Sequence, residues 1–236
     1  MQKVTQEQPS ANLCLNPRLL KIARLLPKSR TVADIGTDHA YIPVWAILNK
    51  VSQFAIASDI NKGPLDRAFQ NVSDFGLSDK ISLRLGAGLS TVSAGEADTI
   101  VIAGMGGMLI SNILEDAKNT VLSAKTLILQ PMTAAKELRE YLLQNSFCIT
   151  EEHLIAEDEK IYNIFIVSVG APLREYAERE LILGKDLDKT SPGLFDRHRQ
   201  NILKKYKNRA EGLKKSCREE SKATLTEIER LLELLK

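Results

Sequence analysis

A short run of small and acidic residues follows the first strongly apolar segment of the sequence. It reads DIGTDHAYIP (34–43) and brings two carboxylates and a glycine into one turn. A dinucleotide fingerprint needs glycine where Asp38 stands, so that the backbone can approach a pyrophosphate. The carboxylate repels phosphate, and no Lys or Arg lies between Thr31 and Lys50. The turn therefore disfavours NAD and P-loop nucleotides and is compatible with S-adenosyl-L-methionine (SAM), which carries a sulfonium cation and an amino group.

Three further segments with chemical potential also follow apolar runs. Asp59 stands 23 residues after Gly36 and would accept both hydroxyls of a ribose, unless it is only a solvated strand end. The glycines of 86–88 let the backbone approach an adenine ring, unless they form a plain turn. The loop AGMGG (103–107) would admit a flat base beside a methyl donor, whereas Met105 within it is also explained by packing.

These segments lie at the ends of predicted strands, where an open parallel sheet binds its ligands. Five strands alternate with helices, and two β-rich runs after residue 146 follow each other at a polar turn without a helix. This predicts an α/β fold of the class I methyltransferase, Rossmann-like type, with a parallel sheet closed by an antiparallel hairpin. The predicted strands of the parallel part are 31–36, 54–60, 80–86, 97–105 and 126–131, and the predicted helices between them include 41–50 and 64–75.

A helix is also predicted before the first strand, over 16–26, with Asn16 as its cap and Pro17 at its first position. Its polar face carries Arg18, Lys21 and Arg24 without an acid. This face is interpreted as an ordinary solvated surface, with a strip facing nucleic acid as the alternative.

The composition restricts the class of protein. The chain has 236 residues, of which 44% are hydrophobic, and this supplies a full core. No apolar window reaches the roughly 20 residues of a membrane span, and the first residues have no signal-peptide core. Three distant cysteines, Cys14, Cys148 and Cys217, suggest neither a disulfide framework nor a zinc site. We therefore expect a cytoplasmic protein without a metal or a membrane contact.

Charge is distributed unevenly along the chain. Residues 1–170 carry 16 basic and 18 acidic side chains, whereas residues 171–236 carry 16 and 12. Nine Lys or Arg and a single acid, Glu211, lie between Arg197 and Arg218. After a break predicted at 190–195, apolar three/four spacing predicts one long helix or a helical hairpin of coiled-coil type. Such a cationic rod suits a polyanionic partner.

The strings DIGTDHAYIP, IAGMGG (102–107) and LILQP (127–131) together resemble the tRNA (adenine-22-N1) methyltransferases of Gram-positive bacteria. The resemblance covers about 13–170 and continues as architecture to the C-terminus. It implies a SAM-binding domain over 1–170 and a helical, basic, tRNA-binding domain over 171–236. The implied cofactor-binding residues are Asp34, Gly36, Thr37, Asp38, His39, Tyr41, Asp59, Ile60, Gly86, Ala87, Gly88, Ala103, Gly104 and Met105. The family usually has Asp where this chain has Ala87, so only backbone amides are expected to act there.

The resemblance also implies roles in catalysis. A flipped adenine would enter beside Gly104–Gly107, and Asp38 is our candidate catalytic residue, with a contact to SAM alone as its alternative. The candidate substrate-binding residues are Gly106, Gly107, Gln130, Pro131, Arg197, Arg199, Lys204, Lys205, Lys207 and Arg209. Two other functions stay open: a methyltransferase acting on a small molecule or protein, and a non-catalytic SAM-binding RNA chaperone. We expect a monomer, although the C-terminal helices could form a dimer.

Overall fold

The structure is a computed structural model that describes residues 13–172, 174–214 and 219–235. Within these ranges, seven strands form one sheet, in the order β3-β2-β1-β4-β5-β7-β6. The first five pair in parallel, and β7 pairs antiparallel with both β5 and β6. The predicted fold is confirmed. The strands are β1 (Ser29–Ile35), β2 (Ser52–Asp59), β3 (Ile81–Leu85), β4 (Thr99–Gly106), β5 (Thr126–Thr133), β6 (Cys148–Glu157) and β7 (Lys160–Ser168).

Helices cover both faces of the sheet and form the C-terminal region. Asn16 caps the first of them as predicted, because its side chain accepts a hydrogen bond from the Leu19 amide at 2.8 Å. The helices are α1 (Pro17–Arg24), α2 (Tyr41–Leu48), α3 (Lys62–Asp74), α4 (Gly107–Asp116), α5 (Lys118–Ser123), α6 (Ala135–Gln144), α7 (Glu178–Leu183), α8 (Leu187–Thr190), α9 (Pro192–Lys214) and α10 (Glu219–Leu234).

The predicted break at 190–195 is wrong for most of its length. Only Ser191, which has a non-helical backbone, separates α8 from α9. Pro192 begins α9, where its missing N–H costs nothing because the first turn of a helix has no internal acceptor for it. The dipeptide Ser-Pro therefore starts a helix here and does not form a longer loop.

The strands are apolar on both faces because both faces are covered. Ile100 and Ile102 of β4 pack in one cluster with residues of α4 and α6. Val101, between them, packs in another cluster with residues of α1 and α2. This two-residue alternation places the core in two layers, one on each side of the sheet.

A buried ionic network joins the C-terminal region to the sheet. Arg139 of α6 is fully buried and donates to Glu152 at 2.8 Å, to Asn163 at 2.9 Å and to the Leu181 carbonyl at 3.0 Å. Glu152 also accepts hydrogen bonds from the Tyr176 hydroxyl at 3.0 Å and from the Lys185 amide at 3.1 Å. We call this network the junction, since it connects α6, β6 and β7 with the chain on both sides of α7.

The two long C-terminal helices pack against each other. Ala210 of α9 and Ile228 of α10 are buried, and Lys214 forms an ion pair with Glu229 at 3.2 Å. Helix α9 continues through Gly212 without interruption. The sequence allowed one long helix or a helical pair, and the packing shows a pair. Predicted positions at 215–218, including Cys217, lie outside the described residues.

Candidate active site

The carboxyl ends of β1 and β2 are held together by backbone hydrogen bonds. The amides of Gly36 and Thr37 both donate to the Ser58 carbonyl, at 2.8 and 2.9 Å. Gly36 has a φ of +75°, which favours glycine. The Thr37 hydroxyl then accepts from the amide of Ala40, the residue that precedes α2, at 3.1 Å. The turn predicted to bind the ligand is thus a fixed feature of the sheet edge.

Asp34 is a buried carboxylate beside this turn, with 6% of its surface exposed. No Lys, Arg or His of the described chain forms an ion pair with it. Burial, together with the charge of Asp59, raises its pKa to about 6, although a hydrogen bond with Thr37 opposes the shift. A cationic ligand that entered here would supply the charge that the protein does not.

Asp38 is exposed, and a basic residue from another element reaches it. Arg67 of α3 donates to the Asp38 carboxylate through Nε at 3.1 Å and also through Nη2. His39 approaches the same carboxylate at 3.5 Å and stacks on Tyr41, with ring centroids 5.0 Å apart. The sequence showed no base near Asp38 because Arg67 comes 29 residues later, and its spacing gave no signal of the contact.

Two cavities meet at Gly36 along this edge, and we call them together the cofactor cleft. One, of about 440 Å³, lies over the ends of β2 and β3, and the other, of about 430 Å³, lies over the ends of β1 and β4. All fourteen residues predicted to bind the cofactor line one cavity or the other. The first contains Gly36, Asp59, Ile60, Gly86, Ala87, Gly88 and Met105, and the second contains Asp34, Gly36, Thr37, Asp38, His39, Tyr41, Ala103 and Gly104.

Met105 lies against Gly36, where the two cavities meet. Its methyl carbon is 2.1 Å from the position that a Cβ on Gly36 would take, so any side chain on Gly36 would displace Met105. The sequence alone left Met105 between packing and function. In the structure, the Met105 side chain packs against the turn after β1 and also lines the cleft.

The segment 103–107, which we call the acceptor loop, is supported from below by Gln130. Gln130 is fully buried, and its Oε1 accepts from the Gly104 amide at 3.1 Å and from Arg18 Nη1 at 2.8 Å. Gln130, which the sequence predicted as a candidate substrate-binding residue, therefore supports the loop from beneath. Arg18 also pairs with Glu157 at 3.2 Å and lines the cleft. Sequence reasoning missed this role because the basic face of α1 resembled an ordinary solvated surface.

The other end of the acceptor loop rests on the turn after β5. Gly106 is aligned with Thr133 across the two strands. A Cβ on Gly107 would lie 2.3 Å from the Ala134 carbonyl oxygen, a contact that no side chain can make. The glycine-rich sequence is thus explained here by close backbone packing, and this packing fixes the loop at the edge of the cleft.

The basic residues of α9 are not equivalent. Arg197 pairs with Glu159 at 3.5 Å, and Arg199 pairs with Asp196 at 3.7 Å. Of the six basic residues of α9 that were predicted to bind the substrate, the other four are exposed and form no ion pair with any residue in the described ranges; they are Lys204, Lys205, Lys207 and Arg209. Two further predicted cations, Lys215 and Arg218, lie outside those ranges. The cationic surface therefore begins at the second half of α9.

Two kinds of feature are absent from the described residues. No helix among them is both long enough and apolar enough to cross a membrane. No group of three or more His, Cys, Asp or Glu side chains in the same ranges is arranged to hold a metal ion.

Comparison with known proteins matches this architecture. The family model described as tRNA (adenine(22)-N(1))-methyltransferase, TrmK, matches residues 32–236. The Bacillus subtilis (strain 168) protein of that name is 35% identical over 235 residues, covering 95% of this chain and 96% of its own. The solved B. subtilis TrmK structure is 34% identical, with a TM-score of 0.85, and covers 95% of this chain and 98% of its own.

A second solved relative carries a ligand. The solved structure of M. capricolum TrmK in complex with S-adenosyl-homocysteine is 27% identical, has a TM-score of 0.80, and covers 94% of this chain and 99% of its own. The resemblance predicted from the three sequence strings is confirmed by the family match. The chain belongs to the tRNA (adenine(22)-N(1))-methyltransferase family.

Proposed function

We propose that the protein transfers a methyl group from SAM to N1 of an adenine, at position 22, in tRNA. The observation that carries this proposal is the cofactor cleft, which collects fourteen predicted residues at one sheet edge beside a glycine-rich acceptor loop. Family membership supports both the reaction and the substrate. The complex of the M. capricolum relative with the demethylated cofactor supports SAM as the methyl donor.

The residues of the cleft fit SAM. Asp34 is a buried carboxylate without a cationic partner in the described chain, and SAM is a cation with a sulfonium and an ammonium group. Asp59 would accept from the ribose, and the backbone of Gly86–Gly88 would approach the adenine ring. When bound, SAM supplies an electrophilic methyl group on its sulfur.

The acceptor needs orientation more than proton transfer. N1 of adenine lies on its Watson–Crick edge, so the base must leave its stack before N1 can attack. N1 carries a lone pair and no proton, hence no general base is required before the attack. The acceptor loop would hold the base edge-on to the methyl group, and this positioning converts a bimolecular step into an intramolecular one.

Asp38 is the residue that we propose to act in this step. Its carboxylate would accept a hydrogen bond from the exocyclic amine and stabilise the positive charge that develops on the ring as the N1–methyl bond forms. Because Arg67 contacts this carboxylate, Asp38 must share or exchange that partner when adenine binds. If Asp38 contacts only SAM, Asp38→Ala will weaken SAM binding and leave turnover at saturation unchanged.

The basic surface of α9 would hold the tRNA backbone. Lys204, Lys205, Lys207 and Arg209 have no acidic partner among the described residues, so they are available to phosphates. Such contacts provide affinity and position without reading sequence. We further propose that the protein acts as a cytoplasmic monomer, with one cleft and one basic surface on each tRNA.

The test is methyl transfer with nucleoside analysis. The protein is incubated with methyl-labelled SAM and unmodified tRNA, and the digested nucleosides are separated. We expect the label in 1-methyladenosine, and no label in a matched tRNA whose target adenine is replaced by guanine. Label found only in a protein or a small metabolite would instead support the alternative methyltransferase. Loss of transfer with intact SAM binding would support the non-catalytic alternative.

A further inference from the structure

A second concave surface lies beside the cofactor cleft, between α9 and the turn that joins β5 to α6. This groove encloses about 250 Å³. Its floor includes Asn163 of β7, Ile182 of α7 and His198 of α9, each of which is buried. The methyl-transfer step proposed above does not use it, although Lys205 and Arg209 of the basic surface line its mouth.

The groove begins where the acceptor loop ends. Thr133 and Ala134 line the groove, and these same residues support Gly106 and Gly107 of the acceptor loop. Neighbouring strands lie about 4.8 Å apart, so one strand spacing separates the loop at the end of β4 from the groove at the end of β5. A nucleotide held at the loop therefore has a covalently joined neighbour within reach of the groove.

The floor of the groove is neutral, although it contains a histidine. His198 Nε2 lies 3.0 Å from the Leu183 carbonyl, and burial lowers the pKa of this imidazole to about 4. At neutral pH the ring is therefore uncharged, and its Nε2–H donates to that carbonyl. The Asn163 side chain is held by Arg139, which donates to its carbonyl oxygen at 2.9 Å. An uncharged ligand fits such a floor.

The mouth of the groove is aromatic and mainly cationic. Lys205, Tyr206 and Arg209 follow His198 on the same face of α9, at the spacing of successive helical turns. Tyr206 is half-buried, and neither cation forms an ion pair within the described chain. Lys136 of α6 faces them and pairs with Glu140 at 3.5 Å, whereas Glu137 is the acid that lines the groove. Aromatic rings bind bases by stacking, and cations bind phosphates.

We propose that this groove binds the base of a nucleotide adjacent to the target adenine. The base stacks on Tyr206, and Lys205 and Arg209 contact the phosphate that joins it to the target nucleotide. The nucleotides on the 5′ and 3′ sides of the flipped adenine are therefore not equivalent, because only one of them is held in the groove. This inference rests on the proposed function, because it requires a tRNA adenine at the acceptor loop.

The helix supplies matched controls. Lys204 and Lys207 are exposed on α9 next to the groove residues, but they do not line the groove. Replacing Lys204 or Lys207 removes one positive charge from α9, as replacing Lys205 or Arg209 would, but leaves the lining of the groove unchanged. Tyr206→Phe keeps the aromatic ring, whereas Tyr206→Leu keeps an apolar side chain without a stacking surface.

The experiment measures kcat/KM of the full-length protein with three synthetic tRNAs: intact, abasic on the 5′ side of the target adenine, and abasic on the 3′ side. We expect kcat/KM to fall roughly tenfold for one of the two abasic tRNAs. The Tyr206→Leu variant should show a similar fall in kcat/KM with intact tRNA. When the Tyr206→Leu variant acts on that abasic tRNA, kcat/KM should be little lower than with either change alone, because both changes remove the same stacking contact. Tyr206→Phe should keep kcat/KM near the wild-type value. Lys204→Ala should lower kcat/KM by the same factor with all three tRNAs. SAM affinity and thermal melting verify that each variant is folded.

The inference would be overturned if the losses in kcat/KM from Tyr206→Leu and from the abasic site multiplied when combined. It would also be overturned if Tyr206→Leu lowered kcat/KM no more than Lys204→Ala does. A shift in sedimentation with Tyr206→Leu would assign the groove to a second copy of the chain and overturn it as well. If the wild-type protein methylates no adenine in intact tRNA, the proposed function and this inference fail together. If it does methylate that adenine and the groove variants respond as their controls do, only this inference fails.

Discussion

Two buried carboxylates, Asp34 in the cofactor cleft and Glu152 in the junction, have opposite surroundings. Glu152 is 1% exposed and is matched by Arg139, the Tyr176 hydroxyl and the Lys185 amide. Asp34 is 6% exposed and has no ion-pair partner in the described chain. Burying a charge costs free energy unless a partner compensates for it. The protein thus compensates Glu152 with its own residues and leaves Asp34 without an ion-pair partner in the described chain, at the place where we propose that cationic SAM binds.

The same difference extends beyond the carboxylates. Around the cleft, Ile60 and Leu85 are 64% and 60% exposed, and the Met105 side chain lines the cavity next to Gly36. At the junction, Arg139 is fully buried and donates to Glu152, to Asn163 and to the Leu181 carbonyl. The cleft thus leaves side-chain surface open to a ligand, whereas the junction is closed by contacts within the protein.

The largest expected effect is at the junction. Arg139→Met leaves the Glu152 carboxylate buried without its cation, and loss of one partner of a buried pair costs about 3–5 kcal/mol. Urea unfolding measures the change in the free energy of unfolding. Arg230→Met, in an ion pair on the surface with Glu178, is the matched control and should change stability little. A similar loss in both variants would contradict the distinction between the two regions.

The next effect is an exchange of function for stability in the cleft. Asp34→Asn keeps the size of the side chain but removes the buried charge, so SAM affinity should fall by roughly 100-fold. The raised pKa means that the ionised carboxylate costs the folded state up to about 3 kcal/mol at neutral pH. Titration calorimetry and urea unfolding should therefore show weaker SAM binding in a more stable protein. A variant that is both less stable and unable to bind SAM would contradict this account.

A smaller effect is expected on changing pH. The pKa of Asp34 is raised from its ordinary value of 3.8 to about 6, so the free folded protein protonates it as the pH falls below about 6. SAM is a cation and should bind the ionised form, hence its affinity should fall roughly tenfold between pH 7.5 and pH 5. The stability of the free protein has the opposite dependence: the contribution of protonated Asp34 is lost as the pH rises through about 6. Asp34→Asn should flatten both profiles, and unchanged profiles in that variant would assign them to other groups.

The smallest effect concerns the exposed pair of Asp38 and Arg67. Such pairs contribute about 1 kcal/mol or less, so Arg67→Ala should change the free energy of unfolding by no more than that. Turnover with tRNA should change a few-fold, because Asp38 loses a partner that orients it. Steady-state kinetics with Arg67→Lys as the conservative control tests this. A loss of turnover as large as that of Asp38→Ala would make Arg67 part of the chemistry.

Sequence patterns predicted the features that depend on local periodicity and on strand ends. The alternation of apolar strands and helices placed Asp34, Asp59 and the glycines of 86–88 at one edge, since parallel strands must end together. Contacts between distant segments carry no such pattern. The pairing of Asp38 with Arg67 and of Arg18 with Gln130 depends on how α3 and α1 pack, which spacing does not specify.

Helix boundaries show the same limit. Pro192 indicated a break, yet it begins α9, because proline suits both a loop and the first turn of a helix. The groove beside α9 was likewise beyond prediction, since it forms only where α9 packs against the turn after β5. The sequence identified cations on α9, and the structure shows which of them face a cavity.

The proposed reaction delivers the methyl group to N1 of one tRNA adenine at the acceptor loop. Methylation of N1 blocks the Watson–Crick edge, so reverse transcription of tRNA treated with the protein and SAM should stop next to adenine 22. The account predicts a single SAM-dependent stop, which is absent when that adenine is replaced by guanine and absent with Asp34→Asn at limiting SAM. Full-length transcripts from tRNA that has nonetheless incorporated methyl label would contradict it.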